Sequence, residues 1–455
     1  MARPSEILLS RFKFSPTEGQ KKLFNLFDQF LVEDTLEQEV LLIKGFAGTG
    51  KTSVVGAVVN TLPFFNMRYC LLAPTGRAAK VMSQYTKKTA FTIHKIIYKP
   101  IHDNNAGIGY KRGKNYYTNT VFIVDEASML SDRAEGSKGS LLDDLISFVF
   151  EDSSNKLIFI GDTAQLPPVG QLSSPALDGK YLKRNFALSV NECLLTEVMR
   201  QEEQSGILHN ATLLRALINT SDNSIKFNVT GYKDVYKMTG EKLEDGLRYA
   251  YEEHGVDKTI IICRSNKSAV QYNHYIRRAI HFYEEEIDAG DIIMVVKNNY
   301  HYLPENTPAG FIANGDFAEV MKIVNLEEIY GFRFATVYLR LVDYPEQEVF
   351  EARIILDTLH SATPSLSDTE FRKLYEKVSE DYNDIDNKKE KTEALKKDPY
   401  LNALQVKFAY ALTCHKSQGG QWNAVFVDQG YLKEEMVDQE YIRWLYTAIT
   451  RATDV

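Results

Sequence analysis

Short apolar runs alternate along the chain with longer stretches in which apolar residues recur at helical spacing, the pattern of a parallel α/β protein. In the first half the runs are Val40–Ile43, Tyr69–Leu72, Val121–Val124 and Leu157–Ile160, and each ends in a polar or glycine-rich turn. Such runs predict strands. Ligands of an open α/β sheet bind at the carboxyl ends of its strands, so the chemistry is expected in the residues just after these four runs. A second set follows, with Thr259–Ile262, Phe408–Leu412 and Ala424–Val427. Between them, from about Gly315 to Asn402, the character changes. Phe317–Val320 and Ala335–Leu339 read as strands, and 365–398 mixes both charge signs densely enough to read as exposed helix. This stretch is expected to be an insertion in the second α/β unit.

At 455 residues the chain is long enough for two or more cores. No apolar run approaches the length of a membrane span, and Met1-Ala2-Arg3-Pro4 leads into charge rather than a signal-peptide core, so a cytoplasmic location is expected. Cys70, Cys193, Cys263 and Cys414 show no metal-binding spacing and predict buried reduced thiols. A net charge of -8 argues against a binder that holds nucleic acid by bulk charge alone, yet it leaves room for a local basic groove.

The strongest chemical signal is Gly45-Phe46-Ala47-Gly48-Thr49-Gly50-Lys51-Thr52, followed by Ser53. It fits G-x-x-x-x-G-K-[ST] directly after a strand, where a glycine loop turns its N–H groups toward phosphate. Lys51 would then reach the β- and γ-phosphates of ATP, and the Thr52 hydroxyl would meet magnesium. Asp125 and Glu126 follow the third run: an aspartate there can hold magnesium through water while its neighbour activates the attacking water. After the fourth run, Gln165 in Gly161–Val169 is placed to sense the γ-phosphate. Arg200 and Arg451 could each bring a planar, bidentate cation to the transferring phosphoryl group. Residues alone leave either arginine unremarkable.

Taken in order, the motifs resemble those of superfamily 1 helicases, specifically the 1B branch with RecD and phage Dda. They are Thr17-Glu18-Gly19-Gln20, the phosphate loop, Ala73–Lys80, Thr92-Ile93-His94-Lys95, Asp125-Glu126-Ala127-Ser128, Gly161–Val169, Leu195–Gln201, Thr413–Gly419 and Tyr446–Arg451. The resemblance implies two tandem RecA-like P-loop domains with ATP between them, a β-hairpin insertion (1B) and an SH3-like β insertion (2B). The expected boundaries are 1–97 with 118–195 for the first domain, 98–117 for the hairpin, 196–315 with 403–455 for the second domain, and 316–402 for the SH3-like part. It further implies that Gln20 reads adenine, that Gly419 lies near the γ-phosphate, and that Arg200 and Arg451 reach across the cleft. Pro74, Thr75, Thr92, His94, Thr413 and His415 match positions that touch the strand, and Arg77, Lys80 and Lys95 suit phosphate contacts. A buried, hydrogen-bonded side chain is the plainer reading of each histidine. Tyr116 sits in a mixture of bases and aromatics, 110–117, where relatives carry a pin that splits duplex. Relatives also continue into a further strand where this chain ends at Val455.

The implied activity is an ATP- and magnesium-dependent, 5′ to 3′ DNA helicase, a monomeric motor on single strands and on duplex with a 5′ tail. Single-strand-binding or repair proteins are natural company for it. Two alternatives stay open: a translocase or protein-displacing ATPase that does not unwind, and an ATP-controlled clamp on nucleic acid. No residue decides between DNA and RNA.

Overall fold

Seven residues, Glu39–Gly45 (β1), organise the first half of the chain. In the computed structural model, which describes residues 2–32, 38–103, 107–133, 139–198, 205–218, 220, 222–304 and 307–455, the later strands are as follows. They are β2 (Arg68–Ala73), β3 (Ala90–Thr92), β4 (Tyr98–Asp103), β5 (Gly107–Arg112), β6 (Thr120–Val124), β7 (Lys156–Gly161) and β8 (Ser189–Leu195). Beyond them come β9 (Thr259–Cys263), β10 (Ile292–Val295), β11 (Phe317–Ile329), β12 (Phe332–Leu341), β13 (Phe350–Ile355), β14 (Leu404–Phe408), β15 (Ala411–Thr413) and β16 (Ala424–Asp428).

The first sheet is wholly parallel, in the order β3-β2-β6-β7-β1-β8. Strand side chains alternate faces. Val40 and Leu42 accordingly pack with Phe122, Val124 and Leu145 on one side of the sheet. Leu41 and Ile43 pack with Phe24, Phe27, Val54 and Val58 on the other. Because β1 lies between β7 and β8, the loops after β1 and β7 open side by side. All four runs read as strands in this sheet form them. Strand β8 lacks a continuous apolar run, since only Val190 and Leu195 of its seven residues are buried, and pattern alone did not mark it.

The second parallel sheet is β15-β9-β16, and beside it β10 to β14 close a small barrel. The run Phe408–Leu412, expected as one strand, is divided: β14 ends at Phe408 in the barrel and β15 starts at Ala411 in the sheet. Asn273 stabilises the break. Its Oδ1 accepts from the N–H of Tyr410 and of Ala411, and its amide donates to the carbonyls of Phe408 and Ala411. Two barrel strands, β10 and β14, therefore come from sequence on either side of 316–402, and barrel and sheet share one continuous core. The charged stretch forms helices Asp368–Glu380 and Lys388–Lys397, with Leu374, Val378 and Leu395 packed onto the barrel's end. Near the carboxyl end, Val425 N–H donates to the Val455 carbonyl and Thr453 N–H to that of Trp422.

Among the described residues, no helix is long and apolar enough to cross a membrane. The four cysteines are free thiols, three buried and Cys193 half-buried.

Candidate nucleotide and nucleic-acid sites

The loop after β1 curls because three glycines allow it. Gly48 and Gly50 hold φ of 78° and 79°, the left-handed region that other residues reach at a strain. A side chain on Gly45 would meet Thr49 Oγ1 at 2.7 Å. Helix Lys51–Thr61 follows, anchored by Val54, Val55, Val58 and Val59 in the core. Lys51 Nζ donates to the carbonyls of Gly45 and Phe46, at 2.8 and 2.9 Å, so its ammonium lies over the loop's mouth. Thr52 and Ser53 share the helix's first turn. Gln20 is fully buried against the loop: its amide donates to the Thr49 carbonyl at 3.1 Å and its Oε1 accepts from Thr17 N–H. One amide hydrogen and one lone pair are left for a base edge.

Asp125 and Glu126 stand at the end of β6, two strands from the loop. Asp125 accepts from the Tyr85 hydroxyl at 2.6 Å and from Glu126 N–H at 2.8 Å. Burial beside this carboxylate pushes the Tyr85 phenol well above its usual range. Glu126 itself sits in the left-handed region, φ 51°. Removal from water raises its carboxyl above the ordinary glutamate range; Arg451 and Lys51 pull it back, and Asp125 and Asp162 push it further. Arg451 NH1 lies 3.7 Å from Glu126 Oε1. Gln165 bridges them when its amide nitrogen faces Glu126 (3.3 Å) and its oxygen faces Arg451 (2.9 Å), the orientation in which donors meet acceptors. Three carboxylates, a lysine and an arginine thus share one field, with Glu126, Gln165 and Arg451 in direct contact. Asp125 and Thr52 offer oxygen donors of the type magnesium prefers. Among the described residues no closed cluster of three His, Cys, Asp or Glu forms a metal site, so a cation here would draw other ligands from phosphate and water.

The second α/β unit reaches this field through helix Gln439–Ile449. The Tyr446 hydroxyl accepts from Ala47 N–H of the phosphate loop at 2.9 Å and donates to Asp162 Oδ2 at 2.6 Å. Thr447 Oγ1 accepts from Leu166 N–H at 2.8 Å, the Gln418 amide donates to the Leu166 carbonyl at 2.8 Å, and Arg443 donates to the Thr163 carbonyl. Ala164 and Leu166 are buried in the second unit's core although their loop belongs to the first. The loop after β7 is therefore held by both units. Residue-by-residue reading missed Tyr85, Asp162, Arg443, Tyr446 and Thr447. A signal for the last three existed: 443, 446, 447, 450 and 451 recur at helical spacing, so one face of an otherwise apolar helix is polar. Arg200 lies outside the described residues.

Strand-contact candidates cluster at strand ends. Ala73 pairs with Thr92, so Pro74 and Thr75 lie beside Thr92 and His94. Thr75 and Thr92 cap their helices, accepting from Ala78 N–H and Lys95 N–H. Thr413 ends β15 with no capping bond of its own, which leaves the hydroxyl uncommitted at the start of Cys414–Ser417, the helix that carries His415. Burial lowers His94 to about 4 and pulls His415 down too, so neutral imidazole is the form offered near pH 7.

Three of the expected residues make contacts that reading the residues alone did not foresee. Gly419 faces Thr75 and Ala78: a side chain there would stand 2.6 Å from Ala78 Cβ, and it is the Gly420 carbonyl that meets Arg451. The glycine's small size thus serves the contact between the units. Arg77 is no groove cation. Its guanidinium stacks between Phe317 and Trp422, 4.4 and 4.2 Å from their ring centres. Tyr116 is 81% exposed but follows the β4–β5 hairpin, which ends at Arg112. It lies in a return segment fixed by Asn115, whose amide donates to the Phe148 carbonyl.

An AAA domain family model matches residues 29–171, and a UvrD-like helicase C-terminal domain model matches residues 408–454. An uncharacterized protein of Acanthamoeba polyphaga mimivirus is 25% identical over 510 residues, covering 95% of this chain and 99% of that protein. The ATP-dependent DNA helicase dda of Enterobacteria phage T4 is 27% identical over 291 residues, covering 61% of this chain and 60% of the phage protein. A solved Pif1 helicase from Bacteroides, in complex with ADP-AlF3 and single-stranded DNA, aligns with a TM-score of 0.45 at 16% identity, covering 97% of this chain and 91% of that one.

Proposed function

We propose that this chain is a member of superfamily 1B of the helicases, an ATP-driven DNA helicase that moves 5′ to 3′ along a single strand and unwinds the duplex ahead of it. The observation that carries the reading is the Glu126–Gln165–Arg451 contact beside the phosphate loop, because its members come from both α/β units. Hydrolysis at such a junction is bound to movement of one unit against the other.

ATP and magnesium fit the residues present. The loop supplies N–H donors and Lys51, while Thr52 and Asp125 supply oxygen to the cation, which would neutralise charge on the phosphates. Gln20 is placed to meet the adenine edge. Glu126 orients and deprotonates the attacking water, and Gln165 holds Glu126 and Arg451 in register. Arg451 stabilises charge on the transferring group, with Arg200 as the second arginine. Pro74, Thr75, Thr92 and His94 on one unit, with Thr413 and His415 on the other, grip successive stretches of strand. Opening and closing of the cleft alternates which grip holds. The β4–β5 hairpin, with Tyr116 at its base, is the element that meets the fork.

The test is ATP hydrolysis with and without single-stranded DNA, then unwinding of duplexes carrying a 5′ or a 3′ tail. Stimulation together with unwinding from the 5′ tail alone supports the proposal. Stimulation without unwinding makes the chain a translocase, and absence of stimulation removes the motor.

A further inference from the structure

The edge of the first sheet carries a cavity that the strand-contact residues named above only partly line. It measures about 290 Å³ and lies between two walls. One wall is helix Gly76–Thr86 with the turn and strand β3 that follow it; the other is residues 308–313 with Tyr344 of the barrel side. Thr92, at the inner end, already belongs to the strand-contact group.

Charge in this corner opposes that of the whole molecule. Lys80, Lys87, Lys88 and Lys95 line the cavity against one carboxylate, Glu346, in a chain whose net charge is -8. Among the described residues Lys87 and Lys88 have no carboxylate within ion-pair distance, and both are exposed. Their turn is nonetheless fixed. Lys87 ends the helix at φ 57°, and the Thr86 hydroxyl accepts from Lys88 N–H. Ser83 Oγ accepts from Ala90 N–H and ties β3 to the helix. Lys80 Nζ, on the helix, stands 5.4 Å from the ring centre of Tyr344 on the far wall, so cation and aromatic surface are presented together. On the same helix, Arg77 packs its guanidinium against Phe317 and Trp422 of the second unit.

We propose that this cavity is a further seat for the single strand, taking backbone phosphates on Lys80, Lys87 and Lys88 and a base or sugar against Tyr344. It rests on the motor reading and extends the grip beyond Thr92, to a place where the strand touches the first sheet and the barrel at once. Lysines beside a flat ring suit a strand read for its backbone rather than its sequence. The competing explanation is that Lys87 and Lys88 only complement the carboxyl end of their helix.

The experiment is equilibrium binding of a fluorescent oligo-dT at several salt concentrations. The proteins are the unmodified chain, Lys87→Ala/Lys88→Ala, Tyr344→Ala and, as a charge-matched control on another helix, Lys180→Ala/Lys183→Ala. Each lost phosphate contact on a single strand lowers the salt slope by about 0.7, or roughly fivefold in affinity near 0.1 M salt. The double variant is expected to bind about 25-fold more weakly with a slope lower by about 1.4, and Tyr344→Ala to bind more weakly with its slope unchanged. The control should stay near the unmodified protein, and DNA-free ATP hydrolysis should be unaltered in all. Unchanged binding by Lys87→Ala/Lys88→Ala, or an equal loss in the control, overturns the inference while leaving the motor intact. Failure of the unmodified chain to bind oligo-dT removes the motor reading itself, and the seat with it.

Discussion

Replacing Tyr446 by phenylalanine deletes one oxygen and keeps the ring, so it isolates the hydroxyl that joins the two units. That hydroxyl accepts from Ala47 N–H at 2.9 Å and donates to Asp162 at 2.6 Å. A neutral hydrogen bond contributes about 0.5–1.5 kcal/mol net and one to a charged group about 1.5–3 kcal/mol. Together they give about 2–4 kcal/mol. The loss falls on the closed cleft, because in an open one water reaches both Ala47 N–H and Asp162. If turnover requires closure, kcat/KM for ATP should fall roughly 30- to 1000-fold. Folding should change little, since the ring packs as before and Thr447, Gln418 and Arg443 still hold the loop after β7. The assay is steady-state ATP hydrolysis at saturating oligo-dT, with a thermal melt as the folding control. A Tyr446→Phe protein whose kcat/KM stays within about threefold of the original, against the loss worked above, would show that the contact is not made in the state that turns over.

Lys51→Ala is expected to abolish hydrolysis while oligo-dT binding and the melt stay near those of the parent; loss of all three together would mean a structural role instead. Glu126→Gln should lower the hydrolysis rate by about 10²–10⁴-fold, the range for loss of a positioned base. Burial holds the Glu126 carboxyl above the ordinary glutamate range and the ionised form is the active one, so the rate should rise with pH through that elevated value; an acid limb at the ordinary glutamate pKa would count against the assignment. Asp316 gives a stability test: burial, with Asp343 adding and Ala313 N–H opposing, pushes its carboxyl up to about 7. Its unfolded value is near 3.9, so the folded form binds the extra proton between these values and stability is lost as pH rises through the window, on the order of 4 kcal/mol. Asp316→Asn should therefore match the parent at pH ~4 and exceed it above pH ~7 in chemical denaturation; equal stability at both ends would refute it.

Much of this was legible in the order of residues, and the reason is locality. Gly45–Thr52 sits within eight consecutive positions after an apolar run, and the curl of such a loop depends on its own glycines and the strand feeding it. Asp125 and Glu126 were singled out in the same way, and the four strands of the first sheet were legible there too. The strand β8 was not, because it alternates weakly and owes its place to pairing with β1. The neighbours of Gly419 and Arg77 were not legible for a related reason: their motifs are short and local, but what each touches belongs to the other unit.

What the sequence by itself determined is the phosphate loop, the carboxylates after the strands, and the alternation that makes parallel sheets, all consequences of near neighbours and their periods. Only the tertiary structure decided that Phe408–Leu412 breaks between a barrel and a sheet, and that Tyr446 meets Ala47 across 399 positions. It also brought Glu126, Gln165 and Arg451 into one field. Contacts of that range have no period to betray them, since they depend on how two separately folded cores are set face to face.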